Sequence, residues 1–430
     1  MSDEVLPKAP DRPPGNPTAP RDRPVFTSRD AAPSRLRELF SLSLLANHFP
    51  ELHGVRVLAI LCVLQWHVTS IMLINGLIQT PWARQFALRS LTLFFGMDLF
   101  FVLSGFLIGS MLMHATRAAE TTGIRGLLRF YARRAFRTFP LYYVVLVFLV
   151  GVLPFTPIKR ANLPFEFVYL TNYRPYVAEE TVTMLWGWSL CVEEHFYLTV
   201  PLLVAGLHVI RGHRGRLSLL ALFWATGILV RLAIFRAHGS WTEDAHFQSF
   251  YLKTHSRYDT LIAGVILAYV HFHLREPLKA WLAKKGPRAL FMTLALSCVF
   301  LLLFPHEIAG PGLQDFLLYR VFCFGTFTSI LYLTALPLLV YGNGPVKRFL
   351  AHPRFLRLAT LGYGTYLVHI PVFEYAVMPF LRLFTALKWP FLLTWSIGLV
   401  TMWGLSLLLS YALHLLVEKP ALALRDKFAP

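Results

Sequence analysis

The sequence predicts an all-α integral membrane protein of about ten transmembrane helices, with both termini in the cytoplasm. Three observations lead there. Of 430 residues, 56% are hydrophobic and only 15% are charged, against about 25% charged in soluble globular chains. The apolar residues gather into runs of roughly 20, the length that crosses a bilayer. Lys and Arg alternate in density between successive runs, as the positive-inside rule requires. The same composition excludes a largely disordered chain. Cys62, Cys191, Cys298 and Cys323 each stand alone in an apolar run, with no C-x-x-C, so neither a disulfide scaffold, a redox pair nor a metal site is expected.

Residues 1–50 read as a Pro-rich cytoplasmic tail. Nine of the 28 prolines fall there, and residues 1–33 carry too little apolar surface to offset chain entropy, which predicts disorder. A short helix on the membrane surface is expected over 35–49. No secretory signal is visible, because the first apolar run begins only after residue 50. The transmembrane domain is expected over 51–422, with a cytoplasmic end at 423–430. Its ten runs lie near 55–76, 90–113, 139–158, 187–208, 217–235, 258–274, 289–305, 315–341, 357–381 and 391–417, without an internal repeat. The tail, the loops after the even-numbered runs and the C-terminal end hold 28 Lys and Arg, with Arg357 at the edge of run nine counted to its loop; the other five loops hold ten. That places the termini inside. The net charge of +18 is therefore mostly topogenic, and the expected partners are membrane lipids rather than nucleic acid.

Ionisable groups inside spans cost roughly 2.5–3.5 kcal/mol each on insertion scales and so mark function. Run one, HGVRVLAILCVLQWHVTS, contains Arg56 and His67. Eleven residues return to within about 20° of one helical face, about 16 Å apart along the axis. Run two carries Asp98, at a depth similar to His67, followed by Gly105 and Gly109 in a G-x-x-x-G spacing that permits close helix packing. A carboxylate beside His67 would fix its tautomer. Arg134 and Arg137, three apart in FYARRAFRTFPLYY, share a face at the cytoplasmic entry to run three, where they can meet phosphates or serve topology alone. Ser189, Glu193 and Tyr197 are spaced four apart in run four, with Glu193 and Glu194 read as close to the outer surface. Arg257 and Asp259 open run six and can bind a polar acceptor or each other. His369, in LGYGTYLVHIPV, reads as a hydrogen-bonded core histidine.

The segments HGVRVLAILCVLQWH, FFGMDLFFVLSGFLIG, FYARRAFRTFPLYY, WSLCVEEHFYL, RYDTLIAGVILAYV, LGYGTYLVHIPV and VEKP, in this order, resemble the membrane-bound acyltransferase 3 family over about residues 50–422. That family includes O-antigen, exopolysaccharide and Nod-factor acetylases and macrolide acylases. The resemblance implies a ten-helix core in a bacterial inner membrane that takes a cytoplasmic acyl-CoA and acylates a sugar. The family's Arg-x10-His pattern falls on Arg56 and His67, its R-x-x-R on Arg134 and Arg137, its aspartate on Asp98, and its Ser-x3-Glu on Ser189 and Glu193. Two positions depart from it: Leu52-His53-Gly54 stands where L-R-G is common, and His195 stands where glutamine is common. Some members carry a fused extracellular hydrolase-like domain, which is not expected within these 430 residues.

The expected function is an O-acyltransferase that moves an acetyl or other acyl group from acyl-CoA to a hydroxyl of a sugar or glycosylated acceptor. An acyl thioester is already activated, so acyl-CoA is a co-substrate and no bound cofactor or metal is needed. His67 would act as base or carry the acyl group briefly, Asp98 would orient it, and Glu193 would shape the acceptor side. Arg56, Arg134 and Arg137 would hold the donor, since guanidinium contacts phosphate bidentately. Ser189, Tyr197, Arg257 and Asp259 would face the acceptor. A secondary transporter with a His/Asp proton relay is the alternative; the missing repeat and the ordered family segments speak against it. A non-catalytic scaffold fits poorly with so many ionisable groups inside spans.

Overall fold

Prolines and small polar residues set where the helices begin. The structure, a computed structural model, describes residues 41–45, 48–117, 123–154, 156–174, 182–237, 247–303 and 325–429. The predicted disorder over 1–33 lies outside these residues, as do Arg320, Cys323 and the start of the eighth apolar run. Helix α1 (Pro50–Ile74) starts on its proline, whose fixed φ and missing N–H suit a first turn. The surface helix expected over 35–49 is not seen where that stretch is described: residues 41–45 and 48–49 are irregular. The reason is visible in the hydrogen bonds. The N–H groups of Ser43 and Leu45 are donated to the side chains of His414 and Thr360, not along a helix.

Helix α2 (Pro81–Ser90) is capped by the Thr80 hydroxyl, which accepts from the Ala83 N–H. It passes through a tight turn, Leu91–Phe95, into α3 (Gly96–Arg117). There follow α4 (Ile124–Val152), α5 (Pro157–Phe167), α6 (Trp188–Val209), α7 (His213–Ala237), α8 (Tyr258–His273), α9 (Arg275–Leu303), α10 (Thr326–Tyr341), α11 (Pro345–Leu350) and α12 (Pro353–Thr360). Helix α13 (Gly362–Pro371) continues through a π-helical turn at Val372–Val377 into α14 (Met378–Ala386). Helix α15 (Phe391–Leu413) continues through another at His414–Glu418 into α16 (Lys419–Phe428). Every described element is helical.

Among the described residues, seven helical stretches are long and apolar enough to cross a membrane: Pro50–Ile74, Pro81–Ala115, Ile124–Val152, Leu185–Val209, His213–Ala237, Gly362–Ala386 and Phe391–Phe428. They match seven of the ten expected runs. Two of the other runs meet α8 and α10, of 16 residues each, about 24 Å at 1.5 Å per residue and so short of a hydrocarbon core of about 30 Å. The remaining run lies in α9, whose first half is rich in Lys and Arg. Val147, Phe148, Leu202, Leu229, Val400 and Leu408 are each more than half exposed. So much outward apolar surface suits lipid rather than water, and the protein is an integral membrane protein.

The tightest crossing joins α3 to α8. A Cβ on Gly105 would lie 2.0 Å from the Leu261 carbonyl oxygen, and one on Gly264 would lie 2.2 Å from that of Val102. The two backbones therefore touch, and the G-x-x-x-G read in run two is one side of that contact. Gly109 continues it against Ala268.

Between α4 and α6 the chain turns inward. Asn162, Glu166, Thr171 and Asn172 are fully buried. The Glu166 carboxylate accepts from the N–H groups of Thr183 and Met184, 2.9 Å each. Burial pushes this carboxyl above its usual range, against the pull of those two amides. Tyr142 donates to the Glu166 carbonyl at 2.8 Å. Because this segment is folded into the helices, α6 begins inside the bundle.

Candidate active site

One cavity of about 230 Å³ lies between α1, α3, α4, α6 and α13. Arg56, Arg134 and Arg137 line it together with Ser189, Glu193 and Tyr197, so six of the ten sequence-predicted site residues meet in one place. Glu193, read from the sequence as close to the outer surface, lines the same cavity as the three arginines.

The arginines arrive from two helices. Arg134 and Arg137 stand one turn apart on α4, as R-x-x-R spacing dictates, and Arg56 stands near the start of α1. Among the described residues no carboxylate pairs with Arg56 or Arg134. The guanidinium of Arg134 lies 6.0 Å from the Tyr197 ring centroid and 3.3 Å from the Met111 sulfur. Arg137 faces Glu418 at 3.5 Å. The cavity wall thus presents cationic donors that the protein itself leaves largely unused.

Hydroxyl groups line the same cavity in two hydrogen-bonded sets. Tyr197 donates to Glu193 at 3.2 Å and so receives from Ser104, 3.1 Å away. Tyr366 donates to the Trp186 carbonyl at 2.6 Å and so receives from Ser189, also at 2.6 Å. Trp186 in turn donates its indole N–H to the Leu367 carbonyl at 3.0 Å. These bonds tie the start of α6 to α13.

Helix α13 leads from the cavity to the histidines. His369 lies one turn beyond Tyr366 and donates Nδ1–H to its carbonyl. His67 donates Nδ1–H to the Val63 carbonyl at 2.9 Å. A carbonyl only accepts, so both rings carry their proton on Nδ1. The Nε2 lone pair of His369 then faces the His67 Nδ1–H at 3.3 Å, and the rings meet edge to face with centroids 4.8 Å apart. His67 Nε2 has no partner among the described residues and is the basic nitrogen. His67 is not part of the cavity wall itself; Ile60, on its own helix, and Tyr366, one turn from His369, are.

Asp98 is elsewhere. Its carboxylate is bound by Arg257 at 2.6 Å, with both side chains fully buried. The Arg257 guanidinium is enclosed by the rings of Phe101, Trp188 and Tyr251, at 5.5, 5.7 and 5.0 Å. Asp259 is bound by Arg231 at 2.8 Å, again fully buried, and Arg231 also donates to the Ser256 carbonyl and the Thr326 hydroxyl. Neither carboxylate reaches His67, and Arg257 and Asp259 bind other partners rather than each other. The place beside His67 that the sequence reading assigned to Asp98 is held by His369. A signal for His369 was present: Tyr366 and His369 are three apart, which puts them on one face of a helix. Ser104 and Glu418 also reach the site, and no spacing rule in the sequence linked them to it.

The comparisons with known proteins give the chain's family. A family model described as an acyltransferase domain, that of the acyltransferase 3 family, matches residues 49–411. The O-acetyltransferase OatA of Staphylococcus aureus strain NCTC 8325 is 27% identical over 362 residues, which are 79% of this chain and 52% of that protein. A second protein, from S. aureus strain COL, whose name assigns it O-acetyltransferase activity provisionally, is 25% identical over 351 residues, 76% of this chain and 51% of its own length. The chain thus spans about half the length of the curated relatives it matches. No solved structure matches it. With the family model covering nearly all of the membrane domain, the chain belongs to the acyltransferase 3 family.

Proposed function

We propose that the protein is an acyl-CoA-dependent O-acyltransferase of a bacterial cytoplasmic membrane, with ten spans and both termini inside, acting on a hydroxyl of a sugar or glycosylated acceptor such as a cell-surface polysaccharide. Acetyl is the acyl group that the names of its relatives print, so acetyl-CoA is the proposed donor. The observation that carries the reading is the cavity: it gathers three arginines, hydroxyls and Glu193, and two of the helices that line it, α1 and α13, also carry the paired histidines. Arginine forks suit the nucleotide phosphates of CoA. From Arg56 to His67 is about 16 Å along α1, comparable to the reach of a pantetheine arm.

His67 Nε2 takes the proton of the acceptor hydroxyl, and that oxygen attacks the thioester carbonyl. The carbon–sulfur bond breaks, the CoA thiolate leaves and takes up the proton, and an ester and CoA result. His369 accepts more strongly from His67 Nδ1–H as the imidazolium forms, the orienting role that the third group of a catalytic triad plays. Glu193, held by Tyr197, shapes the wall that faces the reacting groups.

The test is acyl transfer by purified, detergent-solubilised protein from acetyl-CoA to a saccharide acceptor, with CoA binding followed in parallel. Product formation with release of free CoA is expected. Proton-coupled uptake of a solute with no acylated product would favour a transporter instead. Glycan mass spectrometry of a deletion strain would name the acceptor. Reporter fusions after residues 85 and 310 should read outside and those after 120 and 280 inside; the opposite pattern would overturn the topology.

A further inference from the structure

The V-E-K-P segment, residues 417–420, has no part in the chemistry above, yet its glutamate reaches the donor wall. Helix α15 ends in the π-helical turn His414–Glu418, which carries both a histidine and that glutamate. Such turns are rare and cluster at functional sites. Glu418 is 2% exposed and faces Arg137 at 3.5 Å, while Arg137 stays partly open at the cavity. The other carboxylate oxygen lies 2.5 Å from His414 Nδ1. His414 Nε2 accepts the Ser43 backbone N–H at 3.0 Å. Nε2 is therefore an acceptor, and the ring proton sits on Nδ1 and is donated to Glu418. The chain of contacts runs from the Ser43 amide through His414 and Glu418 to Arg137. Two further ties brace it: Arg133 donates to the Ala429 carbonyl at 2.8 Å, and the Leu45 N–H reaches Thr360 while Leu45 itself lines the cavity.

We infer that Glu418 is a positioning residue for the donor: held by His414, it orients Arg137 so that the free edge of the guanidinium meets a phosphate of the nucleotide. This rests on the proposed acyl-CoA reading. A guanidinium has five donors in a rigid fork, so one edge can lean on Glu418 while another serves the ligand.

The experiment compares acetyl-CoA with acetyl-pantetheine, which bears the same thioester without the nucleotide phosphates. Glu418→Gln removes the charge that orients Arg137 and should raise the KM for acetyl-CoA about tenfold, the scale of one charge-assisted contact. Its kcat should stay within about twofold, with acetyl-pantetheine kinetics unchanged and Glu418→Asp recovering part of the loss. Ser43→Pro, which removes the outer N–H and fixes the local φ, should show the same donor-selective rise at a smaller size, and it serves also if Glu418→Gln folds poorly. Equal effects on both donors, a fall in kcat alone, or an unchanged or lower KM for acetyl-CoA would overturn the positioning role. Wild-type protein that binds no CoA, or uses both donors with the same KM, would overturn the donor reading itself and this inference with it.

Discussion

Two groups of arginines sit inside this bundle, and they are treated in opposite ways. Arg231 and Arg257 are wholly buried, each against one aspartate and in contact with hydroxyls, carbonyls or aromatic rings. Arg56, Arg134 and Arg137 line a cavity, and among the described residues only Arg137 faces a carboxylate, at 3.5 Å. A fully buried ion pair is closed to a ligand arriving from outside; removing either partner leaves a charge that low dielectric penalises. A cation kept at a cavity without a partner is costly in the empty protein, and that cost falls when an anion arrives. The contrast separates residues that hold the helices together from residues that wait for something, a distinction that residue type alone does not make.

The largest expected effect falls on the catalytic side of that contrast. His67→Ala should lower transfer by about 10²–10⁴-fold, the usual contribution of a general base, while CoA binding and thermal stability stay near wild type. A variant keeping more than about a tenth of the rate would remove His67 from the chemistry and turn attention to His369. His67→Gln should fail as well, since an amide cannot take the proton.

Arg257→Ala should act on the fold instead. Stranding Asp98 in the core costs about 3–5 kcal/mol, seen as a lowered melting temperature and poor recovery from detergent. If Arg257→Ala melts like wild type but loses acceptor affinity, the ion pair is a binding device and the contrast breaks. Arg134→Ala combined with Arg137→Ala should give the reverse outcome: normal melting, with acetyl-CoA affinity reduced by at least about tenfold. Unchanged affinity in a well-folded double variant would leave these arginines a topogenic role only.

The smallest effect is expected for His369→Gln. The glutamine amide oxygen can still accept from His67 Nδ1–H, so a measurable fraction of the activity should survive; His369→Leu, which cannot accept, should fall further. Equal loss in both, with wild-type melting, would mean that His369 exchanges a proton rather than orienting His67.

The sequence by itself determined that the chain lives in a membrane, because apolar runs of spanning length are a local property. It also determined which residues share a helical face: Ser189, Glu193 and Tyr197 on α6, Arg134 and Arg137 on α4, and the glycines of α3 that meet α8. These follow from a 3.6-residue repeat that needs no neighbour to be read. The resemblance to the acyltransferase 3 family was carried separately, by the family's segments standing in order along the chain. What faces what across helices was decided only by the tertiary structure. Depth along a span placed Asp98 level with His67, but depth leaves rotation about the helix axis undetermined, and the packing of α3 on α8 turns Asp98 to Arg257. His369 reached His67 from a helix about 300 residues away in sequence. Glu193, on α6, shares a cavity with arginines of α1 and α4, a meeting of three helices that no hydrophobic period records. Helical faces are written in spacing; partners are chosen by packing, which no spacing records.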